Sequence, residues 1–153
     1  MRNEKEIAVL NTLVEINNDR IEGYATASNE TNEADLKSFF TELSHTSEKC
    51  KNVLVSEVKK LGGTPIEGTK VTGKFFRVWM DVKAAITGKD RKAILNSCEY
   101  GEDVAKGIYE KTLNNNADDI SAELQTMIKA HHTLLVADHD KVKFMRDAVL
   151  AES

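Results

Sequence analysis

LKSFFTELSHTSEKCKNVLVSEVKKLGGTP, residues 36–65, sets the period of the whole chain. Leu36, Phe39, Phe40, Leu43, Cys50, Leu54, Val58 and Leu61 recur at steps of three and four, the spacing that puts apolar side chains on one face of a helix. Gly62-Gly63 then supplies a left-handed stop, and Pro65, the only proline in the chain, prevents resumption. The stretch also holds Glu42-x-x-His45, the spacing with which a helix offers a carboxylate and an imidazole to iron or manganese in ferritin-like bundles.

Working outward, the same period returns on both sides. Before it, Ile7, Leu10, Leu13, Val14, Ile21 and Tyr24 form one stripe, with Asn3 and Glu6 placed as a capping box. After the turn-rich GGTPIEGTKVTG, residues 62–73, comes a short apolar helix aligned on Phe75, Trp79, Val82 and Ile86. Gly88 ends it and Asp90 caps the next helix, striped along Ile94, Cys98, Gly101, Ala105, Ile108 and Thr112. Beyond NNNADD the last stripe runs through Ile120, Leu124, Met127, Ile128, Leu135, Val142, Met145 and Val149. The expected helices cover about residues 4–29, 33–61, 75–87, 91–114 and 119–150, and no segment alternates as a strand would.

Four long stripes bury one another best as an all-α four-helix bundle, here expected as a single domain over residues 1–153. Short connections make the first two helices, and the last two, antiparallel neighbours. The middle connection is long enough to cross over along the bundle and carries the short helix against its side or end.

Composition excludes several function classes. The 153 residues carry a net charge of −4 with both signs interspersed, and 30% are charged, which gives no concentrated basic patch for nucleic acid. MRNEKEIAVL has no apolar leader core, and no stretch reaches the ~20 apolar residues of a membrane span, so the expected location is cytoplasmic. Cys50 and Cys98 stand outside any CxxC and are expected as reduced core thiols, with a redox pair or a thiolate ligand as the alternative. Glycine-rich phosphate loops and nucleophile–base signatures are absent.

LNTLVEINNDRIEGY, VKKLGGTP, AITGKDRKAILNSCEYGEDVAKGIYEKTL and HDKVKFMRD together resemble a family of bacterial single-domain proteins of unknown function, classed as ferritin-like four-helix bundles. The resemblance runs from about Leu10 to Asp147 and is most specific at CEYGED. It implies the ferritin-like fold, with housekeeping or stress-related binding, and brings no activity with it.

A ferritin-like di-metal centre needs about four carboxylates and two histidines at one level, with Glu-x-x-His on two helices. Only one such motif exists here. At about 100° per residue, Glu42 lies roughly 100° from the centre of its apolar stripe and His45 roughly 160°, which turns the imidazole outward. Glu15, Asp19 and Glu22 oppose the first stripe and, with His45, read as a solvated band, an inter-subunit contact or an exposed cation site.

Inside, the spacing places a polar layer of Asn17, Ser47, Glu102 and His131. With the last hairpin centred between Asn116 and Ala117, residue i faces residue 233 − i, which sets Glu102 opposite His131 as a register-fixing pair with a raised histidine pKa. The competing reading is a metal site of Glu102, His131, Asp138 and Glu99 holding iron, manganese or zinc, as a metal-binding protein or di-metal-type oxidase. The expectation leans away from an enzyme and towards a soluble, non-enzymatic binding module whose small ligand the residues do not name. A third reading is a self-associating homo-oligomer with Trp79 and the acidic face of the first helix as contact surfaces.

Overall fold

A computed structural model describes residues 2–68 and 74–152, with the side chains of residues 2, 74–76, 150 and 152 outside the description. The expected contribution of Phe75 and the end of the turn-rich stretch therefore lie outside the described residues. The described chain is all-α: α1 (Arg2–Glu30), α2 (Ala34–Lys60), α3 (Lys74–Thr87), α4 (Arg91–Asn115) and α5 (Ala122–Glu152), with one 3-10 turn (Ala117–Asp119) and no strand. None of these helices is long and apolar enough to cross a membrane.

Helix ends follow local chemistry. At the end of α2 the Gly62 N–H bonds the Lys59 carbonyl and the Gly63 N–H bonds that of Val58. This paired closure needs a left-handed residue, which Gly62 supplies at φ 86°. The end of α3 repeats the closure one residue later than expected. Lys89, at φ 56°, is the left-handed residue and Gly88 is still in the helical turn. Asp90 then caps α4 by accepting from the Ala93 N–H at 3.1 Å. At the other end of the chain α1 is already under way at Arg2, so Asn3 stands inside the helix and not at the expected capping position.

α1 packs against α2 and α4 against α5, and the two pairs meet through α1–α4 and α2–α5 contacts. The interior divides into two apolar clusters. One is built around Tyr24, Phe40, Leu43, Leu95, Cys98 and Val142. The other is built around Leu13, Leu54, Val58, Tyr109, Ile128 and Leu135. Chain order through the clusters makes α2 antiparallel to α1 and parallel to α4, so the α2–α4 connection returns along the length of the molecule. Asn11 and Asn18 tether that return: Asn11 bonds Thr64 and Ile66, and Asn18 donates to the Gly68 carbonyl at 2.8 Å.

α3 lies across α1 and α4. Its seat is made by two glycines: a Cβ on Gly23 would stand 2.2 Å from the Trp79 ring, and one on Gly101 would stand 2.8 Å from Val78. No side chain fits between these backbones and the helix above them.

Candidate functional site: a buried guanidinium between two apolar clusters

Between the clusters the interior turns polar. Asn17, Arg20, Ser47, Glu102 and Asp138 are all at least 95% buried there. Arg20 sits on the inward stripe of α1, three residues after Asn17 and four before Tyr24, so the helix delivers its side chain into the core. Its Nη2 donates to both oxygens of Glu102, at 2.8 and 3.0 Å, and to Asp138 Oδ2 at 3.2 Å. Nη1 donates to Ser47 Oγ at 2.5 Å. The Tyr24 hydroxyl donates to Glu102 Oε1, and the guanidinium carbon lies 5.5 Å from the Tyr24 ring centre. Four long helices thus each give a side chain to one group: α1 the cation, α2 a hydroxyl, and α4 and α5 the carboxylates.

The electrostatics follow from burial. Desolvation works against a charged guanidinium, but Glu102 and Asp138 outweigh it, so the Arg20 pKa is raised. Burial and the neighbouring Glu102 push the Tyr24 hydroxyl well above its usual range, which keeps it a donor. Burial likewise lifts the Cys98 thiol far up and the Cys50 thiol to about 11. Both cysteines are free, and both are poor nucleophiles as neutral buried thiols.

The residues expected to share a level are distributed differently. Glu102 bonds Arg20 and Tyr24, and no hydrogen bond joins it to His131 among the described residues. His131 instead packs edge-on against Tyr109, ring centres 6.5 Å apart, with Nδ1 lacking a hydrogen-bond partner among the described residues. Its pKa is lowered by burial, the reverse of the expected rise. Asn17 donates to the Tyr109 hydroxyl at 2.8 Å. The contacts Glu102–Arg20–Asp138 and Tyr109–His131 set a register in which residue i faces about residue 240 − i, not 233 − i. The 3-10 turn and Ile120–Ser121 lengthen the hairpin. A shift near seven residues is almost two full turns, so each helix keeps the same face inward while its partner changes level.

Glu99, the fourth expected ligand, is bonded by Arg146 and lies away from the interior group. It belongs to a second cluster with Asp103 and His139, whose ligand-type atoms all fall within 4.8 Å of one another. His139 Nε2 is 2.8 Å from Asp103 Oδ1. Glu42 and His45 are both exposed. Of the expected solvated band on α1, Glu22 is exposed and Glu15 half-buried, whereas Asp19 is only 3% exposed and lines a groove between α1 and α3. Trp79 is half-buried and packed on Gly23 and Tyr24, so most of its surface is taken up within the chain.

Arg20 is the member of this interior group that the apolar spacing does not single out. Its signal was present in the Leu13-Asn17-Arg20-Tyr24-Ala27 spacing, but a cation in an apolar stripe is usually given to solvent. Residues 5–115 match the family model described as "Domain of unknown function (DUF2383)". That span contains Arg20, Ser47 and Glu102 and stops before Asp138. No curated protein matches the chain.

Proposed function

The chain belongs to the DUF2383 family, whose name carries no activity, and we propose that it is a non-enzymatic binding module on a ferritin-like four-helix bundle whose interior carboxylates are held by Arg20 instead of by metal ions. What supports the bundle reading is the return of the α2–α4 connection along α1, since one long crossover is the mark of ferritin-like connectivity. The observation that carries the functional reading is the placement of the Arg20 guanidinium between Glu102 and Asp138. A fixed cation there already supplies positive charge and hydrogen-bond donors to the carboxylates on which a di-metal centre would rely. The residues therefore do not fit such a centre.

Metal analysis of protein purified without chelator tests this. The expected result is no stoichiometric iron, manganese or zinc that disappears in Glu102→Ala while surviving in His139→Ala. An ion with that dependence would contradict the reading. A second reading rests on Glu99, Asp103 and His139, which suit a surface cation site. Arg146 already bonds Glu99, so a cation binding there must displace a guanidinium and is expected to bind weakly. The same analysis separates the two, because that ion would be lost in His139→Ala and kept in Glu102→Ala.

A further inference from the structure

Where α3 crosses α1, the two helices leave a groove of about 270 Å³, near the lower end of small-molecule sites at roughly 300–1,000 Å³. Its walls are mostly apolar, with Gly23, Ala27, Trp79, Val82 and Ile86 among them. Asp19 lines the same groove. It is 97% buried, and its Oδ1 has no hydrogen-bond partner among the described residues. The Trp79 indole N–H is likewise buried and has no hydrogen-bond partner among the described residues. Buried polar atoms without partners are uncommon, because each forgoes the hydrogen bonds that water would give it.

The charged surroundings favour a cation. Burial, and after it the neighbouring charges of Glu15 and Glu22 on α1, raise the Asp19 pKa to about 6. Glu30 lines the far end of the groove, 4.0 Å from Lys83 of α3. Among the described residues Lys83 is the one basic group that lines the groove, against three carboxylates. A carboxylate at the base of an apolar wall suits an ammonium carried on a hydrocarbon or aromatic body. A fully hydrated metal ion would gain little from such walls.

We propose that the groove between α1 and α3 binds a small organic ammonium ion, with Asp19 taking the charged head and Trp79, Val82 and Ile86 taking its apolar body. This deepens the binding-module reading by naming the ligand class. Metal analysis of the interior neither supports nor damages it, so the two claims fail separately.

The chain has a single tryptophan, so its fluorescence reports on this groove. The experiment titrates the protein with phenethylammonium and, separately, with 3-phenylpropionate, at pH 8 and pH 5 and matched ionic strength. The expected result at pH 8 is a saturable change with the ammonium, on the millimolar scale or tighter. Binding should weaken by about fivefold or more at pH 5, where Asp19 takes up a proton. The carboxylate probe should not saturate, and Asp19→Asn should lose about tenfold in ammonium affinity. Equal binding of both probes, no saturation with the ammonium, or undiminished binding by Asp19→Asn would overturn the proposal. Should that variant fail to fold, the comparison of probes and pH values on the unaltered protein decides alone.

Discussion

Arg20 and Asp19 are adjacent in sequence and meet opposite fates. Arg20 points into the core and finds two carboxylates and a hydroxyl. Asp19 lines the groove between α1 and α3 and finds no partner for one of its oxygens among the described residues. The stability consequence of Asp19 has a definite sign. Its folded-state pKa, raised to about 6, exceeds the unfolded value of 3.8. Between these values the folded chain holds more protons, so stability declines as pH climbs through that window, by about 1–3 kcal/mol. Asp19→Asn removes the penalty. Urea denaturation should find the variant more stable than the parent at pH 8, with the difference closing near pH 4. A variant less stable at pH 8 would mean that the carboxylate has a stabilising role the geometry does not give it. Neither fate was legible from residue type alone, because a helical wheel shows which face a residue occupies and not which neighbour covers that face.

At the scale of elements, the helices were legible because each carries its own stripe and its own stop. Gly62 and Asp90 act where their chemistry puts them. Lys89 was harder to read, since Gly88 beside it is the residue expected to turn left-handed. The cost of a left-handed side chain is about 1 kcal/mol or more, while a glycine there gives back some of that gain through the greater freedom of the unfolded chain. Lys89→Gly should therefore raise stability by about 0.5–1 kcal/mol, read from urea melts. A loss of stability would show that the Lys89 side chain makes a contribution the closure at Asp90 does not explain. The docking of α3 was visible in the sequence only as an amphipathic segment. Its seat depends on Gly23 and Gly101, whose meaning appears once Trp79 and Val78 lie over them.

At the scale of the molecule, two apolar clusters are joined through one polar layer. The inward faces of the helices could be read from period alone, and Asn17, Ser47, Glu102, His131 and Asp138 are all buried. Their levels could not, because sliding α5 along α4 by seven residues restores nearly the same face. The polar layer resolves that ambiguity. Apolar stripes pack tolerably at either level, but only one level brings Asp138 beside Arg20 and Glu102 and leaves none of the three charges alone. Truncating one partner of a buried ion pair typically costs about 3–5 kcal/mol, because it strands the other.

The most direct test is a double-mutant cycle in urea with Arg20→Met, Glu102→Gln and the two combined. Each single change should lose roughly 3–5 kcal/mol, and the double variant should lose less than their sum by about 2 kcal/mol or more. Additivity within about 0.5 kcal/mol would contradict the account, since the guanidinium and the carboxylate would then not be holding each other in the core.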